Sequence, residues 1–223
     1  MAGQRADNWL SRNISLHSHD SENEERANAA THAVGALFAP VALILLVARS
    51  LGSDPVGIVL ADVVFGLSMT LLYAASTLYH LSRKLERKRL FRLFDHMSIY
   101  LLIAGTYTPL MARVEAPWGA RTLLFVWLLA AAGMAFKLRF WGRFRVLQVL
   151  FYLAMGWLAI IRIGDIVRLF DTPLLIAVLA GGVSYTLGTI VYAVKQLPYH
   201  HAIWHLFVLG GSVSHFIGIY SYL

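Results

Sequence analysis

His201 and His205 stand four residues apart in HAIWHLFVLGGSVSHF, residues 201–216. On a helix that spacing stacks two side chains on one face, about one turn apart, so both imidazoles can serve one ion. Ser76 and His80 repeat the spacing, and Asp95 and His96 are adjacent. The chain has no cysteine, which excludes disulfides, thiolate ligands and a cysteine nucleophile. A metal site here must therefore use histidine, carboxylate or water. Three neutral imidazoles with one open position is the pattern of catalytic zinc, whereas structural zinc fills all four positions with protein ligands, often cysteines. Whether a third imidazole reaches the 201/205 pair depends on the elements that carry it.

Those elements are apolar. Of 223 residues, 58% are hydrophobic and 14% charged, too few charges to cover a soluble domain of this length. The apolar residues come in blocks: about Ala27 to Ala48, Val56 to Leu81, Leu93 to Met111, Gly119 to Phe136, Val146 to Ile163, Thr172 to Val194 and His201 to Leu223. Each is close to the ~20 residues a helix needs to cross a bilayer, where backbone groups must be satisfied internally. The expected fold is an all-α membrane protein, a bundle of seven transmembrane helices over residues 26–223 behind a polar tail, residues 1–25. The tail is read as mobile with an ordered end. It lacks the charge and apolar pattern of a cleavable signal peptide. The connections are too short for a further domain.

Lysine and arginine orient the bundle. With the N-terminus cytoplasmic, the inner segments carry fourteen of them and the outer segments five, Arg49, Arg113, Arg121, Arg162 and Arg168. The positive-inside rule then puts the N-terminus in the cytoplasm and the C-terminus on the periplasmic or extracellular side. The net charge of +7 is thus read as topology and affinity for anionic lipid headgroups rather than nucleic-acid binding. Trp118, Trp127, Trp141, Tyr100 and Tyr107 are read as interface or bundle residues.

On this topology His80 ends the second block, Asp95 and His96 open the third, and His201 and His205 open the seventh, all at the cytoplasmic side. His80, His201 and His205 are the candidate ligands of Zn2+. Asp95 is placed to accept a hydrogen bond from the metal's water or from a ligand histidine. Ser76 lies one turn deeper than His80. Each has a plainer reading as well. An interfacial histidine often bonds to a carbonyl or a headgroup, and a helical serine is more often a packing hydroxyl. Asp62 is read as a polar bundle contact or interfacial residue. His17 and His19 fall in the tail, and His200 neighbours His201 without an i+4 partner. His215 lies about 15 Å beyond His205 along the helix, too far for the same ion.

The same residues carry a family resemblance. Glu25, Asn28, Thr31 and His32 spell ExxNxxTH; Ser76, Tyr79 and His80 spell SxxYH; Asp95 and His96 lead into IYLLIAGTYTP, residues 99–109; and His201, His205 and His215 share the last motif. In this order and spacing, from Glu25 to Ile219, the chain resembles the hemolysin III family, the bacterial branch of the progestin and adipoQ receptors. The resemblance implies seven spans with an intramembrane zinc on His80, His201 and His205, an aspartate matching Asp95 and a serine matching Ser76. A wider similarity to the alkaline ceramidases implies hydrolysis of a lipid amide. Unlike the animal receptors, the chain has a short N-terminal region with no room for an added cytoplasmic domain, which weighs against receptor signalling of that kind.

Three functions compete. The first is a zinc-dependent hydrolase of a membrane lipid amide or ester, contributing to lipid homeostasis, with Asp95 as general base and Ser76 stabilising the oxyanion or positioning water. The second is a non-enzymatic sensor of membrane fluidity and energetics, in which zinc ties the second and seventh spans together. The third, suggested by the family name, is a cytolysin; a secreted pore-former must first be water-soluble, so it comes last. The expected partners are membrane lipids, with a homo-oligomer left open, and the expected location is the bacterial cytoplasmic membrane. Glu25, His32 and His215 carry no assigned role at this stage.

Overall fold

A computed structural model describes residues 9–16, 21–115 and 117–223, so His17 and His19 lie outside the described residues. Every described element is helical: α1 (Trp9–Asn13), α2 (Glu22–Ser50), α3 (Val56–Leu81), α4 (Leu85–Ala112), α5 (Trp118–Arg139), α6 (Arg145–Gly156), a 3-10 turn (Leu158–Arg162), α7 (Ile163–Leu169), α8 (Thr172–Ala193) and α9 (His200–Tyr222). Among the described residues, six stretches are long and apolar enough to cross a membrane: α2, α3, α5, the run Arg145–Leu169, α8 and α9. The third apolar block forms the C-terminal part of α4, whose first turns, LERKRLFR, are charged.

Local chemistry sets the ends. Ser21 caps α2 in a reciprocal box: its hydroxyl accepts from the Glu24 backbone, and the Glu24 carboxylate takes the Ser21 N–H at 2.8 Å. Two orphan donors are thereby satisfied, and α2 begins five residues before the apolar block does. Ahead of it, the described end of the tail is folded onto α4. Ile14 is buried, its carbonyl accepts from Arg89 at 3.2 Å, and the Ser15 carbonyl accepts from Arg92.

The helices form a chain of neighbours: α5 against α4, α4 against α3, α3 against α2, α2 against α9 and α9 against α8. Their shared core includes Phe65, Met69, Tyr73, Tyr100 and Val126, while Leu37, Val56, Val146 and Ile161 face outward. Outward apolar side chains suit a lipid solvent, which gives no reason to bury them. Close approach needs small residues. A Cβ on Gly35 would lie 2.3 Å from the Tyr73 ring, so only glycine lets α2 sit this near α3.

The fifth block departs from the expected single helix. It breaks after Gly156 into the 3-10 turn and α7. The Tyr107 hydroxyl repairs the break: it donates to the Gly156 carbonyl at 2.9 Å and accepts from the Ala159 N–H at 3.0 Å. Helix interruptions in apolar surroundings persist where such a group re-satisfies the freed backbone. Because α6 packs only sparsely against α4, α5 and α8, a cavity of about 1040 Å³ remains between these helices and α9. At the end of the bundle away from His80, Arg113 grips the buried Asp62 with two hydrogen bonds of 3.2 Å, so Asp62 is a polar bundle contact.

Candidate metal centre

His80 sits in the last turn of α3, and His201 and His205 in the first turns of α9. The structure brings the three together, with one ligand nitrogen of each within 4.8 Å of the others. Ring centroids are 4.6 Å apart for His201 and His205, 4.9 Å for His80 and His201, and 5.3 Å for His80 and His205. His200 is turned away, with Nε2 3.3 Å from the Lys195 ammonium.

The outer hydrogen bonds assign the free nitrogens. His80 Nδ1 is 2.8 Å from Glu25 Oε2, and an ionised carboxylate can only accept, so Nδ1 carries the proton and Nε2 presents a lone pair. His205 Nδ1 is 3.1 Å from the Asn28 carbonyl, also an acceptor, with the Thr31 hydroxyl at 3.1 Å. Its Nε2 is likewise left with a lone pair. Both Nε2 atoms are buried and make no hydrogen bond. A buried imidazole nitrogen without a partner is costly. Two of them converging with a third histidine fit a divalent cation, and the carboxylate and carbonyl behind the rings are the outer shell that metal-binding histidines ordinarily have.

The N-terminus of α2 builds that outer shell. Glu25 also takes the Lys88 ammonium of α4 at 3.1 Å, which fixes the carboxylate between two helices. Glu24 accepts the Tyr199 N–H at 3.1 Å. Tyr199 caps α9 in a left-handed conformation, φ 57°, and this bond holds the turn that launches His200 and His201. Glu25, Asn28 and Thr31 recur every third residue, so one face of α2 supplies the outer contacts of His80 and His205. That periodicity was the available signal; the partners, 55 and 177 positions away, were not.

Asp95 is buried at the start of the apolar part of α4, and Ser76 of α3 is fully buried with its hydroxyl making no hydrogen bond. Asp95 does not orient His80: Glu25 does. His96 points elsewhere, its ring edge-on to Trp141 at 5.2 Å. His32 stacks on His205 with centroids 3.5 Å apart, and both its nitrogens are buried without hydrogen bonds. His215 sits deeper, where Nε2 donates to the Val178 carbonyl at 3.1 Å; a Cβ on Gly181 would lie 2.4 Å from that nitrogen, so His215 pins α9 to α8. Asp95, His32 and His201 all line the cavity, whose walls are mostly apolar.

The profile of the family described as Haemolysin-III related matches residues 21–216, nearly all of the chain. The chain belongs to that family. It is 42% identical over 201 residues to Hemolysin-3 of Bacillus cereus, covering 90% of this chain and 92% of that protein. It is 40% identical over 200 residues to the Hemolysin-3 homolog of Bacillus subtilis (strain 168), covering 89% and 94%. A human protein, monocyte to macrophage differentiation factor, is 30% identical over 167 residues, 72% of this chain and 69% of its own. With six membrane-length apolar stretches among the described residues, this family member is a multi-pass membrane protein.

Proposed function

We propose that the chain is a zinc protein of the bacterial cytoplasmic membrane that hydrolyses an amide or ester bond of a membrane lipid. In this reading α4 is a seventh span, the N-terminus is cytoplasmic and the C-terminus lies outside. The observation that carries it is the pair of unpartnered, buried Nε2 atoms of His80 and His205, gathered with His201 beside a large apolar cavity.

His80, His201 and His205 would hold the zinc, which when bound supplies Lewis-acid polarisation of a carbonyl. Glu25 and the Asn28 carbonyl hold the His80 and His205 rings in the tautomer that leaves Nε2 free. Asp95 serves as general base, its carboxylate taking a proton from the attacking water. Ser76, beside it, donates a hydrogen bond to the developing oxyanion or to that water. The apolar cavity walls accept the acyl chain and keep bulk water out. The purified, zinc-loaded protein is expected to release fatty acid from a lipid amide or ester, and Asp95→Ala to stop the release. Release that continues unchanged in that variant would remove this mechanism.

A second reading is supported by the way α2, α3 and α9 meet at the histidines. A metal there would staple α3 to α9, with α2 joined through Glu25 and the Asn28 carbonyl, and serve a sensor of membrane state without turnover. Substituting His80 should then lower thermal stability and alter the cellular response to fluidising conditions while no lipid product is found. A normal response in cells lacking the protein would end this reading.

A further inference from the structure

Away from the histidine cluster, the cavity has a second polar region where α4, α5 and α6 meet. Lys137, 8% exposed, lies near the C-terminal end of α5 and lines the cavity. Its ammonium donates to the neutral Gln148 Oε1 at 2.6 Å and stands over the Trp141 ring at 5.0 Å. The charged groups acting on it are Arg92, Arg145 and Asp95, three cations in all against one carboxylate, and all of them line the same cavity. Arg92 donates to the Ser15 carbonyl and lies over the Tyr79 ring, yet its Nε is buried without a hydrogen-bond partner. Of the three cations, Lys137 is buried, Arg92 half-buried and Arg145 exposed. A buried cation set among other cations and short of counter-charge is expensive, and in a membrane protein it marks the place of an anion.

We propose that this cluster binds the anionic headgroup, phosphate or carboxylate, of a single-chain amphiphile whose tail lies along the apolar part of the cavity. Arg92 and Arg145 offer planar donor forks suited to such oxygens, and Lys137 offers a point charge between them. Ile99, Leu102, Ile103, Val149 and Leu153 continue from the cluster as an apolar wall. The volume, about 1040 Å³, is ample for one acyl chain. Gln148 fits the assignment: its amide nitrogen donates to the Arg143 carbonyl at 2.9 Å, which turns Oε1 toward Lys137 and holds the ammonium at the cavity wall. The site stands on α4, α5 and α6 and needs neither the metal nor turnover.

The test uses the full chain purified in a neutral detergent, with two probes that carry no hydrolysable acyl bond, hexadecyl phosphate and hexadecanol. The phosphate is expected to bind at least about tenfold more tightly than the alcohol. Lys137→Met and Arg145→Gln should each weaken hexadecyl phosphate about tenfold while leaving hexadecanol unchanged. Arg145 is exposed, so its variant reports on the site even where Lys137→Met does not fold. Displacement of hexadecyl phosphate by millimolar inorganic phosphate alone would support the anion site and assign it to a free anion. Resistance to phosphate, together with the loss in the variants, would assign it to a lipid headgroup. Equal affinity for the two probes, or hexadecyl phosphate binding unchanged in both variants, would overturn the proposal.

Discussion

Glu25 Oε2 lies 2.8 Å from His80 Nδ1, joining the first turn of α2 to the last turn of α3. The contact sets which nitrogen of His80 is free to bind. It also makes the start of α2 part of the site, although no residue of α2 is among the three clustered histidines.

Glu25→Gln is therefore expected to weaken metal binding without abolishing it. Loss of an outer-shell carboxylate typically costs about 10–100-fold in metal affinity. The amide retains an acceptor oxygen, so Glu25→Ala should be the more severe variant. Competition with a graded series of chelators measures the effect, and affinities equal to wild type would remove Glu25 from the site.

Tyr107→Phe should loosen the broken fifth block. Its hydroxyl serves both the Gly156 carbonyl and the Ala159 N–H, and both are left unpaired when it is removed. The expected cost is about 1–3 kcal/mol in stability. Hydrogen exchange should rise locally around residues 156–160 and leave α3 and α9 unaffected. Uniform or unchanged exchange would contradict this.

Asp62→Asn tests the opposite end of the bundle. The bidentate pair with Arg113 is nearly solvent-free on the aspartate side, and Arg113 keeps the Pro109 carbonyl at 3.1 Å but, as counter-charge, only a 3.9 Å contact with Asp54 when Asp62 is neutralised. Removing one partner of a buried pair leaves an uncompensated charge, and a loss of about 2–4 kcal/mol is expected. Metal content should stay at the wild-type level, because the histidines lie at the other end.

How much of this was written in the sequence differs from residue to residue. The second block, read as about Val56 to Leu81, coincides with α3, because its apolar run is unbroken and a polar run follows it. The His201/His205 pair was legible from helical spacing, and His80 from the expectation that the end of the second block and the start of the seventh share one end of the bundle. The break after Gly156 was not legible, because the apolar run continues through it and the group that repairs it, Tyr107, comes from α4. Glu25 stood in a recognisable motif, yet its partner is set by how α2 packs on α3. Lys137 was counted only as a topology charge. Its burial follows from α6 folding back to bring Gln148 to it, a tertiary event that local pattern does not encode.

The most direct test of the metal centre is the metal content of the full chain, purified without chelator and compared with His80→Ala and His201→Ala. About one zinc per wild-type chain, and a small fraction of that in both variants with the helical content retained, is the predicted result. Wild-type protein that holds no divalent metal after zinc loading and desalting, or variants that hold as much as wild type, would contradict it.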